Sequence, residues 1–182
     1  LSIPLDKIHY LSLVGKLVLG MGTRRHSYME ISQLLGIHTG GLHSWHFTSA
    51  KINDHKSILS RIFFSGKALM ENLDHLFDIW EELIQEHDFN NPKRLIEIIK
   101  SSKADMEDSI LSSGNHYVLS RLNSYKSPLG QYNELSGGIS YYKFLEKLLD
   151  HAEKNPDEVA EEFRNIAQSL FTKENIFVNI TA

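Results

Sequence analysis

Cysteine is absent from all 182 residues. That excludes disulfides and every metal site built on thiolates, and it fits a reducing compartment. Positive charge is also scarce: 19 Lys and Arg face 23 Asp and Glu, leaving a formal net charge of -4. Such a balance leaves no electrostatic footprint for nucleic acid, and none is expected as a partner. No window approaches the roughly 18 to 20 apolar residues of a membrane span, and no signal peptide is recognisable. Neither membrane insertion nor export is expected of this stretch on its own, and the cytoplasm or an organelle matrix is the expected location rather than the exterior. The chain starts at Leu1 without an initiator methionine, which suggests a piece cut from a longer polypeptide. Repeats with a period of about 20 to 50 residues are missing, as are low-complexity linkers, so residues 1–182 read as one domain.

What is present is a dense series of structural signals. Asp6 can cap a helix whose apolar positions Ile8, Leu11, Val14, Leu17, Val18 and Met21 recur at spacings of three and four. Ser27 with Glu30 forms a capping box that opens a second helix, and Gly36 is the expected stop. Thr39, Gly40 and Gly41 then turn the chain into a strand over residues 42–52, rich in apolar, aromatic and hydroxyl side chains. Asn53-Asp54 make the turn into a second strand over 57–69, with Ile58, Ile62 and Phe64 on one face and Arg61 and Lys67 on the other. Two strands joined this way form an antiparallel hairpin.

Helices follow. Asn72 is placed to cap the stripe Leu73, Leu76, Phe77, Trp80, Leu83 and Ile84; Asn91-Pro92 opens the stripe Leu95, Ile98, Ile99, Ser102, Met106 and Ile110. Residues 115–136 read as helical with a break at Ser127-Pro128, since proline disfavours helical geometry in the residue before it. Ser140 can cap a helix bearing Tyr141, Phe144, Leu145, Leu148 and Leu149, and Asn155-Pro156-Asp157 opens the last one. Ile176, Val178 and Ile180 alternate with polar residues and predict a final strand over 175–181. The fold class is therefore α+β, an antiparallel sheet with helices packed mainly on one face.

The motifs of common chemistries are missing. There is no H-E-x-x-H, no G-x-S-x-G, no G-x-G-x-x-G and no P-loop; Gly40-Gly41 and Gly137-Gly138 are explained by turns. His38, His43 and His46 lie close in sequence, but zinc requires imidazoles that converge on one ion, whereas strand alternation sends His43 and His46 to opposite faces. Glu86-His87 would complete an inverted zinc motif only if position 83 were histidine, and it is Leu83. No catalytic or metal-ligating residue is assigned. Arg24, Arg25, His43 and Trp45 are the candidate contacts to a substrate or to a neighbouring domain, the arginines because a guanidinium can hold a carboxylate.

Several stretches carry a family likeness: Gly22-Thr23 with the basic pair and short capped helix, Thr39-Gly40-Gly41 and its strand, FSGKA at 64–68, SRLN at 120–123, GGISY at 137–141, and FVNIT at 177–181. Together they resemble pitrilysin/insulinase-type zinc metallopeptidases, most closely the presequence protease and falcilysin branch. Aligned on Gly22-Thr23, that family's H-x-x-E-H helix falls on residues 13–17, putting Leu13 and Leu17 where the histidines stand and Lys16 where the glutamate stands. Leucine cannot bind zinc, and lysine cannot serve as the carboxylate base.

Members of that family contain several similar domains, of which only the first holds zinc, and this chain resembles the third. The resemblance thus implies a non-catalytic, structural and substrate-enclosing domain of an enzyme that degrades short unfolded peptides. Zinc would belong to the parent and not to this piece; its partners would be the other domains of the same chain and the parent's peptide substrate. It also implies a further strand before Leu1. Two other readings stand beside it: a peptide-binding module that uses an exposed sheet edge, and an independent hydrolase with a metal at His38, His43 and His46.

Overall fold

The computed structural model describes residues 7–181. The extended start and the Asp6 cap therefore lie outside the described residues, and Lys7 occupies the N-cap position of the first helix, α1 (Ile8–Gly20). Ile8, Leu11, Leu13, Val14, Leu17 and Val18 are all buried, so α1 is apolar on most of its circumference and runs through the centre of the core. A helix of this kind needs neighbours on several sides. It has them: the hairpin lies on one side, and four later helices surround the rest. Gly15 is the point of closest approach to the hairpin, where a Cβ would come within 2.8 Å of Ser44 Oγ.

Gly22 ends the α1 segment at φ +96, and a side chain there would press on the backbone of His26 and Tyr28. Helix α2 (Tyr28–His38) opens with the expected capping box, both halves of which are formed. It does not stop at Gly36. That glycine keeps helical geometry, and the helix ends at Thr39, whose hydroxyl and amide both donate to the Leu35 carbonyl. A glycine stops a helix only where the chain takes a left-handed residue, and here Gly41, at φ +97, takes it.

Strands β1 (Leu42–Lys51) and β2 (Asp54–Gly66) form the antiparallel hairpin, with Trp45 opposite Phe63 and Phe47 opposite Arg61. The register slips once, between Ala50 and Lys51 beside the turn. Leu42, Ile58, Ile62 and Phe64 pack on the core, while His43, Trp45, Phe47, Arg61 and Phe63 are exposed. The helices thus pack on one face of the hairpin, as the alternation predicts.

A 3₁₀ turn (Met70–Asn72) leads into α3 (Leu73–Gln85), and Asn72 belongs to this turn instead of capping the helix through its side chain. Then come α4 (Pro92–Ser112), α5 (Gly114–Ser124), α6 (Pro128–Gly137), α7 (Ile139–Lys154) and α8 (Pro156–Leu170). Asn91 and Ser127 cap α4 and α6 with their side chains, each followed by proline at the first helical position. Ser140 does not cap α7. It sits inside the first turn, and the buried carboxylate of Glu134 accepts its backbone N–H and its hydroxyl. Among the described residues no helix is long and apolar enough to cross a membrane.

The predicted strand over 175–181 is not formed. Among the described residues the sheet has two strands, and Phe177, Val178 and Ile180 are exposed without ladder partners. Alternation marks a segment that fits a sheet, but hydrogen bonds to a neighbouring strand make it one. Here no edge of the hairpin reaches it. The architecture is α+β, with the helices dominant and the sheet smaller than the sequence suggests.

Candidate functional site

The outer face of the hairpin carries a cluster that a folded domain would ordinarily cover. Trp45 and Phe63 stack with ring centroids 5.2 Å apart and planes inclined by 9°, and Phe47 meets the edge of Phe63 at 6.0 Å. All three remain open to solvent, with Trp45 at 48%, Phe63 at 39% and Phe47 at 44% exposure. Cross-strand aromatic pairs stabilise a sheet locally, yet a contiguous exposed aromatic surface also marks a place where something else binds. His43 stands two residues from Trp45 on the same face, opposite Ser65. The structure therefore brings His43 and Trp45 together, and adds Phe47 and Phe63. Trp45-His46-Phe47 already held the signal, since alternation puts the two large rings side by side.

Arg24 and Arg25 are elsewhere, on the turn between α1 and α2, and both are spent on the end of α3. Arg24 donates its backbone N–H to the Glu86 carbonyl at 2.9 Å and its guanidinium to the Gln85 carbonyl at 3.3 Å. Arg25 is paired with the Glu86 carboxylate, which it holds below the usual carboxylate range. Beneath them Thr23 donates its hydroxyl to the buried carboxylate of Glu82, and His26 Nδ1 lies 2.9 Å from the same group. Gly22-Thr23 and the basic pair thus staple one turn to one helix. Glu82 looks in the sequence like an ordinary polar position of an amphipathic stripe, and no local pattern marks it as the anchor.

The three closely spaced histidines do not converge. His38, at the end of α2, packs on His75 with centroids 4.0 Å apart; His43 faces out and His46 faces in. His46 is engaged at both nitrogens. Ser12 Oγ commits its proton to the Ser136 carbonyl at 2.6 Å, so it can only accept from His46 Nδ1, 3.3 Å away. The other nitrogen, Nε2, then accepts from Ser60 Oγ at 2.8 Å, and Ser60 in turn accepts from the Tyr132 hydroxyl at 2.6 Å. The result is one directional chain from Tyr132 to the Ser136 carbonyl, passing through a neutral imidazole. Burial pushes the pKa of His46 down to about 4, in keeping with that neutral form.

Of the α1 positions that align with the zinc motif, the two that stand in place of histidines are core positions. Leu13 and Leu17 are both 0% exposed, and Lys16 points outward to Asp105 at 3.1 Å and Ser102 at 3.3 Å. Among the described residues no group of three His, Asp or Glu side chains is arranged to hold a metal ion.

Residues 1–148 match the family model described as peptidase M-16C associated. The chain belongs to the peptidase M-16C associated family. Over 165 residues this peptidase-associated chain is 28% identical to presequence protease 1, chloroplastic/mitochondrial, of Arabidopsis thaliana, covering 91% of the chain and 15% of that protein. It is 26% identical over 185 residues to the mitochondrial presequence protease of Saccharomyces cerevisiae, covering 99% of the chain and 18% of that protein. Protein HypA of Clostridium perfringens is 25% identical over 178 residues, with 98% of the chain and 18% of that protein covered. The peptidase-associated chain spans less than a fifth of the length of these relatives. The likeness to the presequence protease branch is thus borne out.

Proposed function

We propose that residues 1–182 are a non-catalytic domain, the third of its kind, in a longer zinc-dependent metallopeptidase, and that they form part of the wall enclosing short unfolded peptides while the parent cuts them. One observation carries this reading: the two positions that align with the family's zinc-binding histidines are Leu13 and Leu17, wholly inside the core. Helix α1 packs where a catalytic helix would present ligands. Two of the relatives bear presequence protease in their names, which supports peptide as the parent's substrate and an organelle matrix as a fitting location.

In this reading zinc, its ligands and the general base belong to another domain of the parent, and the residues here supply surface. The outer face of the hairpin, with Trp45, His43, Phe47 and Phe63, is the contact surface for peptide or for an adjoining domain. Arg24 and Arg25, committed to α3, act on such contacts only through the shape of the turn. The test uses the parent polypeptide. An H-x-x-E-H motif upstream, stoichiometric zinc, and a Trp45→Ala variant that turns over peptide more slowly with unchanged zinc content are expected. A parent without the motif and without zinc would overturn the reading.

A second reading has one observation in its favour. Each strand of the hairpin has a neighbour on one side only among the described residues, so two edges are open to an added strand. Under that reading the isolated chain binds extended peptide along β1 or β2, whereas the enclosing-domain reading expects the hairpin edges to bind weakly or not at all.

A further inference from the structure

A cleft of about 520 Å³ opens where α1 and β1 meet the α5–α6 pair, on the helical side of the hairpin and away from its aromatic face. Its volume is that of a small-ligand pocket. Its inner wall is the saturated chain through Ser12 and His46, which has no hydrogen bond left to give. The remaining polar groups are of a different kind. Asn133 uses Oδ1 to accept from Thr48, which leaves its Nδ2 as a donor, and the Asn123 carboxamide makes no side-chain hydrogen bond among the described residues. His116, Ser120 and Ser136 add to the polar lining and Leu119 adds an apolar patch.

The lining selects against several ligand classes. No Lys, Arg, Asp or Glu side chain lines the cleft, and the neighbouring Glu134 is fully occupied by Ser120, Arg121 and Ser140. An ionised ligand would find no permanently charged partner here. No Trp, Tyr or Phe ring lines it either, so a sugar ring has no platform to stack on. What remains suited is a neutral group with one donor and one acceptor at fixed spacing. The Asn123 carboxamide presents such a pair in complementary order to a peptide bond, and Asn133 adds one donor through Nδ2.

We propose that this cleft binds the main chain of an uncharged stretch of extended peptide, held by Asn123 and Asn133 with His116 beside them. The ligand class rests on the enclosing-domain reading, and the cleft itself rests on the geometry above. The two are separable: failure to bind peptide here leaves the zinc assignment untouched, and discovery of zinc or hydrolysis in this chain would sink the earlier reading without emptying the cleft.

The experiment is a titration of the 182-residue chain with a short Ala/Gly/Ser peptide blocked at both ends, followed by the NMR signals of the Asn123 and Asn133 side-chain amides. Saturable shifts of both are expected. Asn123→Leu should weaken binding by about tenfold or more with an unchanged melting temperature, because Asn123 is exposed and bonds nothing in the described fold through its side chain. Absence of saturable shifts would overturn the proposal. So would shifts confined to the hairpin, equal binding by a disaccharide, or an Asn123→Leu variant that binds as before.

Discussion

Trp45 lies flat on Phe63 across the hairpin, 5.2 Å from centroid to centroid, with both rings open to solvent on the face opposite the core. Pairs of this kind contribute about 0.5 to 1.5 kcal/mol beyond the area they bury. Trp45→Ala and Phe63→Ala should each lower unfolding stability by that order, and a double-mutant cycle in urea should recover a coupling of similar size. A loss above about 3 kcal/mol for either would place these rings in a core, contradicting a free contact surface.

His46 makes stability depend on pH. Its folded pKa, about 4, lies below its ordinary value of 6.5, so between those limits the unfolded chain binds a proton that the folded chain refuses. Stability is complete above pH 6.5 and declines as pH falls toward 4, by about 2 to 3 kcal/mol at about pH 4.5. His87 adds to the same trend, since burial also lowers its pKa. Urea unfolding at neutral pH and at the acid end of this window checks the trend, and His46→Asn should make the slope shallower while lowering stability at neutral pH.

The turn at residues 22–27 separates buried from exposed electrostatics. Thr23→Val strips a hydrogen bond from the buried Glu82 carboxylate and should cost about 1 to 3 kcal/mol. Arg25→Ala breaks an ion pair at the surface and should leave the melting temperature within error. Comparable losses from the two would mean that the turn is held by its charges.

Helix α1 offers the sharpest contrast between neighbours. Leu17→Ala should cost about 2 to 5 kcal/mol, as a fully buried leucine does. Lys16→Ala, one residue away with its ammonium on Asp105 at the surface, should have a far smaller effect, since exposed pairs contribute little. Thermal or urea unfolding of the two variants decides whether α1 is a packing helix.

Much of this was legible from the residues. The spacing in α1, the Ser27 and Glu30 box, the Asn91-Pro92 start and the hairpin alternation are local, and each is found in place. What escaped depends on distant partners. Ile176 to Ile180 has the right period for a strand, but only a neighbouring edge could have made it one. Ser140 looks like a cap until Glu134, six residues earlier, folds over the same N-terminus. Gly36 could have ended α2, yet the chain reserved its left-handed residue for Gly41. The candidate contacts divided likewise: His43 and Trp45 share a face because β1 alternates, whereas Arg24 and Arg25 are tied to an acid and a carbonyl that no local pattern pointed to.

Metal content and peptide cleavage, measured together on the purified 182-residue chain with an unstructured peptide as substrate, decide whether this domain carries chemistry of its own. A chain built around Leu13 and Leu17 should carry no stoichiometric zinc after dialysis and should leave the peptide intact. Tight one-to-one zinc with metal-dependent cleavage would show that the chemistry resides in this domain, and the enclosing role would have to be abandoned.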